Sequence, residues 1–289
     1  MDRLIQPAMF GQPFMQNALL TGSIAAMLAG LVGFFVVLRG VSFAAHALGQ
    51  IGFAGASGAV LVGVAPLWGL VMFALGGALG LGLLGAREHG RDAATALVLV
   101  AALGLGALFI ALNGSYATAA FTLLFGSIVG ISRDQVWQTG ALALACVVGL
   151  AILYRPLLLS SVDAEMAAAR GVPVRLVGTL FLVVVGVAAA VTIPTVGTLL
   201  IFSLMVGPAA AANALTSRPW AAMGLAIALS LLATWVGLIV AYDTGWPIGF
   251  IISAAVAALY MGARLAGPRR IRRRGVMPAP VAPAGAQAY

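Results

Sequence analysis

Ser42, His46 and Gln50 recur at a spacing of four in a stretch that is otherwise apolar, with Ser57 further along. On a helix that spacing lines one face. A neutral imidazole is a good ligand for zinc, manganese or iron, and an amide oxygen one turn later is a weaker one. The bland alternative is a hydrogen-bonded helix contact with no metal. Gly52, Gly55 and Gly58 recur at three-residue spacing on the other face, which favours close helix packing. Cys146 is the sole cysteine, so one chain has no disulfide and no cysteine-based metal cluster. No Ser/His/Asp set or carboxylate pair suggests catalysis. There is no lysine, hence no Gly-x4-Gly-Lys-Ser/Thr phosphate loop. The sequence reads as a non-enzyme, and any ATP hydrolysis belongs to another chain.

Two further polar sites stand out. Residues 160–171 hold Asp163 and Glu165, two of the seven acidic residues. They read as a short helix outside the bilayer, with Ser161 as N-cap and both acids in the first turn. Ala167 and its neighbours form the body; Gly171 is the left-handed stop and Pro173 follows. Asp243, within Tyr242-Asp243-Thr244-Gly245-Trp246-Pro247, reads as interfacial turn chemistry beside aromatic anchors. The alternative there is contact with a docking receptor or an entering cation. Glu88, His89 and Asp92 read as solvated charge in a short loop.

The elements carrying these residues are membrane helices. Of 289 residues, 63% are hydrophobic and 8% charged, and the mean hydropathy is +1.12. A soluble domain carries about 25% charge. The apolar runs are continuous, which argues for helices over a barrel. Windows of about 20 residues place spans near 17–38, 44–64, 66–85, 93–112, 135–154, 174–192, 195–215, 220–241 and 246–263. The stretch 115–131 is shorter and reads as a span or a re-entrant helix. The expected fold is an all-α polytopic transmembrane bundle of about eight to nine spans. Residues 1–265 form the membrane domain; residues 266–289 form a disordered, basic and Pro/Ala-rich tail that rests on anionic lipid, with no nucleic-acid role. No removable signal peptide is expected.

All fifteen basic residues are arginines. With 160–171 in the cytoplasm, only Arg3 and Arg133 fall outside. The positive-inside rule therefore expects the N-terminus outside, the C-terminus in the cytoplasm, and the protein in the cell membrane.

Several segments together resemble one family. Leu38-Arg39-Gly40-Val41-Ser42-Phe43 is similar to an Arg-Arg/Gly-x-Ser helix start. Leu124-Phe125-Gly126-Ser127-Ile128, Asp163-x-Glu-x-Ala-x3-Gly171, Val196-Gly197-Thr198-Leu199-Leu200 with Pro208-Ala209-Ala210, and Tyr242-Asp243-x3-Pro247-x-Gly249 follow in order. The chain resembles the integral-membrane permeases of bacterial ABC importers for zinc, manganese and iron over about residues 15–263. That resemblance implies a type II importer-like permease paired with a second copy or a sister permease. It also implies cytoplasmic ATP-binding subunits and an extracytoplasmic metal-binding receptor. Asp163, Glu165, Ala167 and Gly171 would belong to the coupling helix that docks on the ATPase. Ser42, His46 and Gln50 would face the transport path, with no permanent cofactor and only a transient divalent metal. Family members often place Asp at the position of His46 and His at that of Gln50, so this chain lacks the carboxylate. Alternatives are a permease for an iron-siderophore or haem complex, which looks longer, and an ATPase-independent secondary transporter. The latter would show internal repeats and several embedded acids.

Overall fold

The computed structural model describes residues 12–84, 91–113, 123–126, 131–198 and 200–266. The loop with Glu88 and His89, Ser127, Ile128, Leu199 and the tail from 267 lie outside the described residues, as does most of 115–131.

A chain this apolar must satisfy its backbone polar groups within each segment, and the helix does so. The described residues include the helices α1 Pro13–Leu38, α2 Ser42–Leu61, α3 Pro66–Leu84, α4 Arg91–Leu112, α5 Arg133–Val162, α6 Ala164–Ala169, α7 Val174–Val196, α8 Ile201–Leu215, α9 Pro219–Thr244 and α10 Ile248–Ala266, and a helical stretch at 123–125. There is no strand among these residues. Seven helices are long and apolar enough to cross a membrane: α1, α3, α4, α5, α7, α9 and α10. The sequence windows anticipate nine, and the difference lies in α2 and α8. Helix α2 has the length, but His46 and Gln50 lower its hydropathy. Helix α8 has 15 residues, about 22 Å at the α-helical rise and short of the hydrocarbon thickness.

Burial separates centre from rim. The spanning windows of α1 and α7 are 67% and 61% buried, against 22% for α4 and α5. Leu97, Val100 and Leu108 on α4 and Leu144 and Ile152 on α5 are exposed. An apolar rim of that extent suits lipid and not water. At the centre, Phe35 of α1 meets the rings of Phe34, Tyr154 and Phe181 edge-on at 5.1, 5.9 and 6.2 Å. Helix α2 packs on α3 and α4 through its glycine face. A Cβ added to Gly55 would fall 2.1 Å from the carbonyl oxygen of Gly69, and one added to Gly69 would fall equally close to that of Gly55. The two backbones touch with no side chain between them.

Helix α5 is longer than its expected window of 135–154. It starts early because Ser132 and Gln135 form a reciprocal capping box: the Ser132 hydroxyl accepts from the Gln135 N–H, and the Gln135 side chain accepts from the Ser132 N–H. It ends later than expected because it continues through Pro156, as membrane helices tolerate.

Candidate functional site

Helix α7 ends at Val196, and the chain turns at Gly197 and Thr198 before α8 begins at Ile201. Gly197 makes this turn with φ +89°. A Cβ there would lie 2.3 Å from the Leu124 carbonyl oxygen, so only glycine lets the 123–126 segment lie across the turn. The Thr198 N–H donates to the Leu123 carbonyl at 3.1 Å and locks the two together.

The polar face of α2 meets this turn. His46 is half-buried and stands edge-on to the Phe202 ring of α8 at 5.3 Å. One turn on, Gln50 is 1% exposed, and its amide N–H donates to the Thr198 carbonyl at 3.3 Å. The predicted helical face is therefore real for His46 and Gln50. Ser42 is half-buried at the start of α2. Ser57 leaves the stripe: its hydroxyl donates back to the Phe53 and Ala54 carbonyls of its own helix at 2.7 and 3.2 Å.

What remains at the contact is a set of unpartnered buried atoms. His46 Nδ1, Gln50 Oε1 and Thr198 Oγ1 have no hydrogen-bond partner. Each such atom costs about 1–3 kcal/mol when nothing replaces water. Buried hydroxyls of Thr21, Ser230, Thr234 and Ser253 share this condition. At the turn, two such oxygens and a nitrogen belong to residues of one contact: Gln50 bonds to Thr198, and His46 lies against Phe202 of α8. Among the described residues no group of three or more His, Cys, Asp or Glu is placed to hold a metal ion. Thr198 is a residue that the sequence reading leaves unassigned, because its link to Gln50 spans 148 positions.

A cavity of about 300 Å³, which His46, Gln50 and Thr198 do not line, shares neighbours with this contact. Its wall includes Leu123, whose carbonyl binds Thr198, and Leu70 and Ile193, which flank Gly52 of α2. Asp134, Gln138 and Thr139 of α5 and Thr21 of α1 supply its polar surface. The sequence signal for this set is the polar first turn of α5.

The second site is the polar island, where the structure corrects the helix start. Ser161 is not the N-cap. Helix α5 continues over Ser160 and Ser161, whose hydroxyls donate to the Leu157 carbonyl. The break comes at Asp163, with φ −151° and ψ 104°, and its carboxylate accepts from the Met166 N–H at 2.8 Å. Aspartate serves this role as well as serine. Helix α6 then runs for six residues. At its end the Gly171 N–H donates to the Ala168 carbonyl and the Val172 N–H to the Ala167 carbonyl, at 2.9 and 3.0 Å. Gly171 has φ +79°. This is the Schellman closure that Gly171 and Pro173 predict. Ala167 is fully buried, while Asp163, Glu165 and Gly171 are exposed. The result is a compact knob anchored by one methyl group.

Asp243 is exposed on the last turn of α9, which Gly245 ends in the left-handed conformation. Tyr242 stacks on Phe14 of α1 at 6.3 Å, and Trp246 meets Phe250 at 6.1 Å. The structure places Asp243 among these aromatics.

Comparison with known proteins covers nearly all of the described chain. The model of the ABC 3 transport family matches residues 11–266. The chain is 28% identical over 262 residues to the manganese import system permease protein ScaB of Streptococcus parasanguinis, covering 90% of this chain and 93% of that one. It is 26% identical over 245 residues to the manganese transport system membrane protein MntC of Halalkalibacterium halodurans, covering 84% of each. Among solved structures, a chain of PsaBC from Streptococcus pneumoniae in complex with Fab superposes with a TM-score of 0.82 at 25% identity. That match covers 92% of this chain and 96% of the other.

Proposed function

We propose a function from one premise, that this chain belongs to the ABC 3 transport family: it is the permease subunit of an ATP-driven importer, and its cargo is a divalent transition-metal ion, manganese ahead of zinc or iron. The observation that carries the reading is that His46 Nδ1, Gln50 Oε1 and Thr198 Oγ1 are all buried and unpartnered on residues of one contact, where Gln50 bonds to Thr198 and His46 lies against Phe202 of α8. Two oxygens with one imidazole nitrogen form a hard, oxygen-weighted set, which suits manganese better than a thiolate-bound metal. The relatives ScaB and MntC carry manganese in their names. A donor set without a carboxylate binds weakly, and a site on a transport path must release what it takes.

The remaining parts follow from this reading. Two permease copies, or a permease and its sister, would face each other so that donors from both meet around one path. Alternating access would expose that path first to an extracytoplasmic receptor and then to the cytoplasm. The Asp163–Gly171 knob would dock on a separate ATPase subunit, with the arginine-rich ends of the helices on the cytoplasmic side. Helices α2 and α8 would complete the transmembrane domain, giving eight to nine passes. Asp243 would lie on the outer face. The tail from residue 266 would remain on the cytoplasmic side against lipid headgroups.

The test is growth of a strain lacking this gene under metal chelation, together with uptake of radioactive manganese, zinc and iron. Manganese rescue and manganese uptake, abolished by His46→Ala, are expected. Normal manganese uptake in the deletion strain, or undiminished uptake by His46→Ala, would overturn the cargo or the site respectively.

A further inference from the structure

The geometry points to Arg39 as a positioning residue that joins both stems of the Asp163–Gly171 knob to the helix bearing His46 and Gln50. The inference rests on the function proposed above and adds a route for force within the chain. Helix α6 hangs between two stems, the end of α5 and the start of α7. The Arg39 guanidinium lies between them. On the α5 side its Nη1 donates to the Ser160 hydroxyl at 2.8 Å and to the Ser161 hydroxyl at 3.4 Å. These two residues immediately precede Val162 and the Asp163 cap. On the α7 side the guanidinium carbon sits 5.9 Å from the centre of the Phe181 ring. A Cβ on Gly178 would lie 3.5 Å from Nη2, an ordinary van der Waals contact, so the guanidinium rests against this position of α7.

The backbone of Arg39 makes the other half of the connection. It caps α1, and the corner into α2 is closed by two hydrogen bonds. The Gly40 N–H donates to the Val37 carbonyl and the Val41 N–H to the Val36 carbonyl, at 3.2 and 3.1 Å. This is a Schellman closure like the one that ends α6, and it makes the corner stiff. Helix α2 starts at Ser42, so His46 stands one turn further on. A displacement of the knob moves Ser160, Ser161 and the foot of α7. The guanidinium is held by both stems, and its short rigid corner delivers that displacement to α2. Arginine suits the task because its planar fork meets two hydroxyls and a ring face at once; a lysine ammonium would hold fewer of them.

The experiment uses the complex purified through this chain with its own ATPase subunits and reconstituted into lipid vesicles. The readout is manganese ions taken up per ATP hydrolysed. In Arg39→Gln, insertion and subunit association are retained and the ratio falls about tenfold, as expected for loss of a hydrogen bond from a charged group. Arg39→Lys recovers part of the ratio. Ser160→Ala with Ser161→Ala lowers it similarly, and adding Arg39→Gln to that pair gives no further loss. If Arg39→Gln fails to insert, the serine pair and Gly178→Leu, which crowds the guanidinium from α7, carry the same test. A purely structural role would depress uptake and hydrolysis together and leave their ratio unchanged, which would overturn the inference. Additive losses would do the same. Absence of ATP-linked manganese uptake in the unaltered complex would sink both the proposed function and this inference; a normal ratio in Arg39→Gln would sink this inference alone.

Discussion

Gln50 satisfies half of its amide and leaves the other half bare in a fully buried position. Evolution of a mere packing residue would favour leucine there, which fills similar volume without an orphaned oxygen. Gln50→Leu therefore separates stability from transport. The unfolding temperature in detergent should change little, because removing the orphaned oxygen offsets the lost bond to the Thr198 carbonyl, each worth about 1–3 kcal/mol. Manganese uptake should fall about tenfold or more, since a buried oxygen donor is gone. Thr198→Val should behave alike, with the same pair of measurements. At this scale the sequence exposes His46 and Gln50, because a four-residue spacing of polar groups in an apolar run is visible without coordinates. It hides Thr198, whose link to Gln50 is tertiary, and it does not show that the Ser57 hydroxyl turns back on its own helix.

At the scale of elements, two glycines make opposite predictions. Gly171 has no atom within 4 Å of a Cβ position but holds φ +79°. Gly171→Val therefore strains the backbone by about 1–2 kcal/mol without a clash. The protein should insert and associate normally while ATP-driven uptake collapses, as measured in the reconstituted complex. Gly55 has an ordinary helical backbone but no room. Gly55→Ala forces α2 away from α3 at a cost of about 1–3 kcal/mol, read as a lower melting temperature and lower yield. Element types were legible because a hydropathy window of about 20 residues is the physical length of a crossing. Element ends were less so. A window measures greasiness, so Arg155 and Pro156 trim the predicted α5 although the helix continues through both. The short helix after Val162 was legible through Gly171 and Pro173, while its start was misplaced because Ser161 and Asp163 are both good caps and only the folded chain chooses between them.

For the whole molecule, the arginine pattern predicts an orientation. An epitope at the C-terminus should resist protease added outside intact cells and yield to it in inverted vesicles; an N-terminal epitope should show the reverse. The match to PsaBC over 92% of the chain fits a resemblance carried by ordered short motifs, none of which is distinctive alone. The long pairings that assemble them, such as Asn17 to the Ile131 carbonyl across 114 positions, leave no trace in local spacing. The mutual backbone contact of Gly55 and Gly69 has a mechanical corollary. Two rods seated that closely have no side-chain cushion to shear, so α2 and α3 travel as one stiff hairpin. Any tilt that reaches His46 must then swing the exposed Val62–Val64 bend at the opposite end, and a probe fixed there would report motion at His46.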